Sequence, residues 1–365
     1  MQATGSSAQV DEKGPMLSLP TWAVFVGVFA VGFAVSWGLT PVAGALSRRL
    51  GLVDKPGGRR RHQGAIPRLG GIAVFGGFMV AVLLTLPYPR SAADAYRLTG
   101  LLFGCTVVFI GGLLDDRLQL KPLPILGFIL VAALIACRYW VFIERVNNPL
   151  TNQPQVFSMP VTILLTLLWL AGMTNTVNLL DGLDGLAAGV CAIAVLVFFV
   201  HMVRTGQDSV ALLPLALLGA LLGFLPHNLH PARIFLGGGA YFLGYAVGAL
   251  SIIGGARAAT ALLVLAVPIL DVAWMILYRA RNRRSPGTGD RAHLHFRLVD
   301  LGIPQEHIVL LYYALSAAFG GLALIIPSRL YKLLALIVLG VVIVIVLAIV
   351  SRIGDQRERS RSQDF

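Results

Sequence analysis

Two amides and two carboxylates crowd a single stretch, Asn175-x-x-Asn178-x-x-Asp181-Gly182-Leu183-Asp184-Gly185. One apolar run, Val161 to Met173, ends there and another, Ala187 to Val200, begins. On insertion scales a carboxylate in lipid costs roughly 2.5–3.5 kcal/mol, so an acid at such a turn is a functional candidate by default. Asn and Asp oxygens are hard donors that suit a magnesium-like ion, and such an ion is the natural companion of a phosphate substrate. Gly182 and Gly185 each follow an acid and permit close backbone approach to a ligand. The plain alternative is two Asx turns in a membrane loop, but four polar side chains are more than those turns need.

Other chemistry-bearing residues lie at the ends of apolar runs. Asp115 and Asp116 are adjacent, and two carboxylates at ~4 Å would repel by about 4 kcal/mol at an effective dielectric of 20. A cation beside them, or one raised pKa suited to proton transfer, would relieve that repulsion; a solvated helix end is the alternative. Arg68 stands between Pro67 and Gly70-Gly71 at the entrance to an apolar run, where its planar fork of donors suits a substrate phosphate; a lipid-headgroup contact is the alternative. Asp271, in Pro268-x-x-Asp271, lies well inside the apolar run 258–279, where Pro268 can break a helix and open the backbone to a cavity. His293 and His295 alternate between Arg291 and Arg297, which fits a cationic pocket for a diphosphate. Zinc fits less well, because no Cys or further His stands at ligand spacing.

The elements that must position these residues are membrane helices. The chain is 57% hydrophobic and only 13% charged, with a mean hydropathy of +0.80, which excludes an ordinary soluble domain. A span needs about 20 apolar residues. Eleven candidate spans meet or approach that length, near 20–46, 69–87, 98–114, 123–143, 160–178, 186–203, 210–226, 239–255, 258–279, 308–326 and 331–350. Of the 29 Lys and Arg, 20 fall on the side holding the loops 47–68, 115–122, 179–185, 227–238 and 279–307 and the tail 351–365. The positive-inside rule makes that side cytoplasmic, and every chemistry-bearing cluster falls on it or just inside it. The domain reading is a flexible tail 1–19, one transmembrane domain 20–350 and a basic tail 351–365. No basic helix interleaved with aromatics is present, so the net charge of +12 records orientation in a lipid bilayer rather than binding to nucleic acid. Cys105, Cys137 and Cys191 lie in apolar runs and read as small core residues. A membrane transporter would expect inverted repeats, and none stands out.

Taken together, Pro67-Arg-Leu-Gly-Gly71, Asp115-Asp116-x-x-x-Leu120, the 175–185 stretch, Pro268-x-x-Asp271 and His293-Leu-His295 resemble the polyprenyl-phosphate N-acetylhexosamine-1-phosphate transferases, glycosyltransferase family 4. The resemblance covers about residues 48–302 and is nearest to the bacterial UDP-GlcNAc branch. It implies an all-α polytopic enzyme of ten or eleven transmembrane helices in the bacterial cytoplasmic membrane, with its site facing the cytoplasm. The implied reaction moves GlcNAc-1-phosphate, or a related HexNAc-1-phosphate, from a UDP-sugar to undecaprenyl-type phosphate with release of UMP. This is a first membrane step of cell-envelope polysaccharide synthesis. The implied cofactor is Mg²⁺, with Mn²⁺ as the alternative, and the resemblance is compatible with a homodimer.

By motif, the catalytic candidates are Asp115, Asp116, Asp181 and Asp184. Asn178 and Asp116 are the metal candidates. Substrate contacts fall on Arg68, Asn175, Asn228, Phe235, Asp271, His293, His295 and Arg297. One departure matters most: the family carries an aspartate, a magnesium ligand, shortly after the position of Leu236, whereas this chain reads Gly237-Gly238-Gly239-Ala240, one residue short. A weak or inactive member of the family is therefore the alternative reading. Inserting Asp between Gly237 and Gly238 is expected to be structurally mild, and Ala at Asp115 or Asp116 is expected to cost function more than folding.

Overall fold

A computed structural model describes residues 20–54, 64–148, 150–151, 153–255, 258–281, 293–326 and 328–363. The apolar runs form helices, as their hydrogen-bond demand in lipid requires. In chain order these are α1 (Thr21–Arg49), α2 (Gly71–Leu84), α3 (Ala92–Leu118), α4 (Pro122–Arg138), α5 (Met159–Leu180), α6 (Leu186–Arg204), α7 (Asp208–Asn228), α8 (Gly239–Ile253), α9 (Ala258–Val264), α10 (Ala266–Arg281), α11 (Leu294–Asp300), α12 (Gln305–Ile325) and α13 (Arg329–Gln363). Two short antiparallel hairpins join them. In the first, β1 (Val53–Asp54) pairs with β2 (Ile66–Pro67) between α1 and α2. In the second, β3 (Arg145–Asn147) pairs with β4 (Pro154–Val156) between α4 and α5.

Among the described residues, seven helices are long and apolar enough to cross a membrane, and four further apolar helices are shorter. Every expected span has a helix, but 69–87, 123–143, 239–255 and 258–279 are trimmed. Thr85 and Gly254 close α2 and α8, and Pro122 opens α4. The 258–279 run is broken at Leu265, between α9 and α10. Pro268 accounts for the break, because it has no N–H to offer the carbonyl of Val264. At the other end of the chain, α13 continues through the expected tail to Gln363.

The bundle is built around α6, α7 and α8, whose side chains are mostly buried. Helix α1 lays a stripe of small residues, Gly32, Ser36, Thr40, Ala43, Gly44 and Ser47, toward the interior, and packs on α7 and α2. The backbones approach closely: a Cβ on Gly32 would lie 2.7 Å from the Ala216 carbonyl. Close backbone approach of this kind drives helix association where lipid removes the hydrophobic force. Cys105 and Cys191 are buried and Cys137 is half-buried, all as free thiols.

Candidate active site

The site lies where α8 begins. The chain entering α2 and the chain entering α8 run side by side: Phe235 N–H donates to the Pro67 carbonyl at 2.8 Å, and the N–H groups of Gly70 and Gly71 donate to the carbonyls of Phe235 and Leu236 at 2.9 Å. This places Arg68 beside Gly237. Gly237 has φ +61°, and a Cβ there would lie 2.0 Å from the Arg68 carbonyl, so both the conformation and the contact require glycine. Across the junction, the Asp116 carboxylate accepts from Gly238 N–H at 2.8 Å through Oδ2, and its Oδ1 lies 3.5 Å from the Arg68 guanidinium.

The adjacent acids relieve their repulsion by diverging. Asp115 turns back to close its own helix, its Oδ1 accepting from Leu120 N–H at 2.9 Å beyond the left-handed Gln119. Asp116 points inward and is buried, and its Oδ1 has no hydrogen-bond partner among the described residues. This bonding changes one expectation. Removing the Asp116 side chain would orphan a buried backbone N–H, so Ala at this position costs folding as well as function.

The 175–185 stretch closes the other side. Asn178, half-buried near the end of α5, is hydrogen-bonded to the phenol of Tyr241. Asn175 bonds back along its own helix, donating to the Ala171 carbonyl at 2.8 Å. Asp181 caps α5. Removal from water pushes its pKa up to about 7; the Asp116 charge adds to this, Arg68 opposes it and Asp184 adds further. Asp184 accepts from His230 Nδ1 at 2.7 Å and from Ala232 N–H at 3.1 Å. Asn228 is buried under the same loop and donates to the Ile234 carbonyl at 3.0 Å, which braces the segment that ends in Phe235.

A second group lies against the same turn. Asp271 does not face an open midplane cavity, because α11 packs back between α12 and α13 and covers it. Its carboxylate receives His293 Nδ1 at 2.9 Å and Leu294 N–H at 3.0 Å. His295 stacks on His293 with ring centroids 5.8 Å apart and is buried, with neither ring nitrogen hydrogen-bonded among the described residues. A Cβ on Gly182 would lie 2.7 Å from its Nε2, so the ring is in contact with the 181–185 turn. The Arg297 guanidinium lies over the Tyr278 ring at 5.9 Å. Arg291 lies outside the described residues.

Burial pushes the His295 pKa down to about 4 from its ordinary 6.5, against the raising effect of Asp271 and with a further lowering by His293. A folded-state pKa below the unfolded value gives a stability contribution that is complete above pH 6.5 and lost as pH falls through 4. Asp181 works the opposite way: its contribution is complete below pH 3.8 and lost as pH rises through about 7. The two slopes oppose each other between pH 4 and 6.5, the window bounded by the two His295 values. A His295→Gln variant is expected to gain stability on acidification relative to the unaltered protein, by up to about 1.4 kcal/mol per pH unit. Thermal midpoints in detergent across this range check it, and identical pH slopes for the two proteins would contradict it.

The structure thus brings Arg68, Asp115, Asp116, Asn178 and Asp181 around the start of α8, and sets Asp184, Asp271, His293 and His295 about the turn. Tyr241, His230 and Glu306 escaped the sequence reading. Tyr241 carried a faint signal, a polar aromatic in the first turn of a glycine-led apolar helix; His230 and Glu306 carried none. Among the described residues, no three His, Cys, Asp or Glu side chains are grouped to hold a metal by themselves. The Gly237-Gly238 junction is also far tighter than a loop able to absorb a residue, since a Cβ on Gly238 would lie 2.0 Å from the Gly112 carbonyl.

Residues 98–255 match the family model described as Glycosyl transferase family 4. The chain is 31% identical over 298 residues to the probable undecaprenyl-phosphate N-acetylglucosaminyl 1-phosphate transferase of Bacillus subtilis (strain 168), covering 80% of this chain and 81% of that one. It is 33% identical over 312 residues to the decaprenyl-phosphate N-acetylglucosaminephosphotransferase of Mycolicibacterium smegmatis, covering 77% and 75% of the two chains. It is 28% identical over 330 residues to the undecaprenyl-phosphate alpha-N-acetylglucosaminyl 1-phosphate transferase of Yersinia pestis, with 86% of each chain covered. With the motif residues gathered at one end of an all-α membrane bundle, and with relatives of this identity and coverage, the chain belongs to glycosyl transferase family 4, the polyprenyl-phosphate N-acetylhexosamine-1-phosphate transferases, and is a membrane phosphoglycosyltransferase.

Proposed function

We propose that the protein transfers GlcNAc-1-phosphate from UDP-GlcNAc, or a related HexNAc-1-phosphate from its UDP-sugar, to a polyprenyl phosphate of the undecaprenyl type, releasing UMP. One observation carries the reading: Arg68, Asp116 and the start of α8 converge with Asn178 and Asp181 at one end of the bundle. An oxygen of the lipid phosphate attacks the β-phosphorus, the bond from that phosphorus to the bridging oxygen breaks, and UMP leaves with the electron pair. Arg68 offers paired N–H donors to a phosphate. Asp181, with a pKa of about 7, is matched near neutrality to take a proton from an incoming monoprotonated phosphate. Asp115 and Asp116 are the orienting acids, and His293, His295 and Arg297 are the residues that would hold the diphosphate.

Asn178 and Asp116 are the residues that would hold magnesium, or manganese in its place. Their hard oxygens fit such an ion, Asp116 has a buried oxygen with no hydrogen-bond partner among the described residues, and Mg²⁺ is commonly bound by one or two carboxylates with substrate phosphates and water. When bound, the ion neutralises charge developing on the diphosphate. The work falls on the cytoplasmic face of a bacterial plasma membrane, at an early step of cell-envelope polysaccharide synthesis. Cysteine reporters in the 181–185 turn and the 229–238 loop should resist an impermeant label added outside intact cells.

The absent aspartate after Gly237 favours a second reading, a weak or inactive member of the family. The test is UMP release by purified protein given polyprenyl phosphate and UDP-GlcNAc, with magnesium titrated. Release that depends on both the lipid and the metal is expected. No release at any magnesium concentration would favour the second reading.

A further inference from the structure

His230 has no place in the motifs, yet it joins two segments of the site. Its Nδ1 lies 2.7 Å from Asp184 Oδ2, and Asp184 accepts a second bond from Ala232 N–H at 3.1 Å. A carboxylate only accepts, so the hydrogen bond puts the proton on Nδ1. The opposite nitrogen, Nε2, faces Glu306 in the first turn of α12 at 3.6 Å, beyond hydrogen-bond distance. Helix α12 holds the same turn a second time, with the Tyr313 hydroxyl donating to the Gly185 carbonyl at 2.6 Å. The imidazole thus ties the turn to the loop, and the Tyr313 hydroxyl separately ties the turn to α12. Asp184 is mostly buried and both of its donors reach Oδ2, so its carboxylate serves to hold the loop. Asp181 stands three residues earlier in that turn and faces Asp116 and Arg68.

We propose that His230 is a positioning residue of the transfer site: by holding Asp184 to the 229–238 loop, it fixes where the 181–185 turn presents Asp181. The proposal rests on the transfer reaction described above. A misplacement of about 1 Å at a reacting group is enough to cost about 100-fold in rate, so a loosened clasp shows in kcat before it shows in binding.

The experiment is a double-mutant cycle between Asp184→Ala and His230→Ala, read both as kcat for UMP release and as thermal midpoint in detergent. His230→Ala should lower kcat by about 10-fold or more while KM for UDP-GlcNAc stays within about 2-fold. His230→Asn, which offers an N–H near the place of Nδ1, should recover most of that loss. The double variant should be no worse than Asp184→Ala alone, since residues acting through one another are not additive. An unchanged kcat in His230→Ala, equal impairment of the Asn and Ala variants, or multiplicative losses in the double variant would each overturn the proposal. If His230→Ala does not survive extraction, His230→Gln takes its place in the cycle under the same criteria. Coupling in the thermal midpoint with none in kcat would reduce the clasp to a structural contact and overturn the positioning role. An unaltered protein that makes no product contradicts the proposed function instead; the midpoint cycle then tests the clasp by itself, and additivity there would overturn it.

Discussion

Asp116→Asn is expected to cut transfer by roughly 100- to 1,000-fold while leaving a folded, extractable protein. The amide keeps an oxygen for Gly238 N–H, so the junction between α3 and α8 retains its bond. What disappears is the charge facing Arg68, together with the buried oxygen that has no hydrogen-bond partner among the described residues. Asp116→Ala should lose as much activity and also stability, about 1–3 kcal/mol for the Gly238 N–H left without an acceptor. Thermal midpoints and initial rates on the two variants separate these effects. Equal midpoints for Asn and Ala would show that the Gly238 bond contributes nothing to the fold. Near-normal rates in Asp116→Asn would remove Asp116 from the chemistry.

The second large effect falls on the glycine junction. Gly238→Asp looks like a repair, since it returns an acid to the neighbourhood where the family resemblance implies one. The packing argues otherwise: a Cβ at Gly238 would lie 2.0 Å from the Gly112 carbonyl, and one at Gly112 would lie 2.1 Å from the Gly238 carbonyl. Both neighbours are backbone and cannot swing aside, so overpacking should cost about 1–3 kcal/mol or more. Gly238→Asp is therefore expected to lower the thermal midpoint and the yield without lowering the magnesium concentration for half-maximal rate. Gly112→Ala, which adds no charge, should do comparable structural damage through the same contact. A Gly238→Asp protein that melts like the unaltered one and needs less magnesium would show that the junction opens readily.

The sequence made the membrane helices legible because each is a long apolar run, and lipid leaves such a run few alternatives to helix. The break between α9 and α10 was legible as well, since Pro268 removes a specific hydrogen bond. Motif order identified which polar residues gather. It did not reveal how they gather. The bond from Gly238 to Asp116 spans 122 positions and that from His230 to Asp184 spans 46, and no local pattern encodes either. The same limit hid the fate of the Asp115-Asp116 pair, which resolves its repulsion by pointing to different helices. The expected tolerance of the 237–238 junction failed for a related reason. Glycines read as a loose loop in sequence are here the contact surface between α3 and α8, where the absence of side chains lets two backbones touch.

In phosphoglycosyl transfer the β-phosphate travels with the sugar. Supplying UDP-GlcNAc labelled at the β-phosphorus to the purified protein with polyprenyl phosphate and magnesium tests it most directly. The label is expected in the lipid fraction, in equal amount to the UMP released, with Asp116→Asn transferring almost none. Label left in UDP while sugar appears on the lipid would mean simple glycosyl transfer, and would contradict transfer of the sugar phosphate.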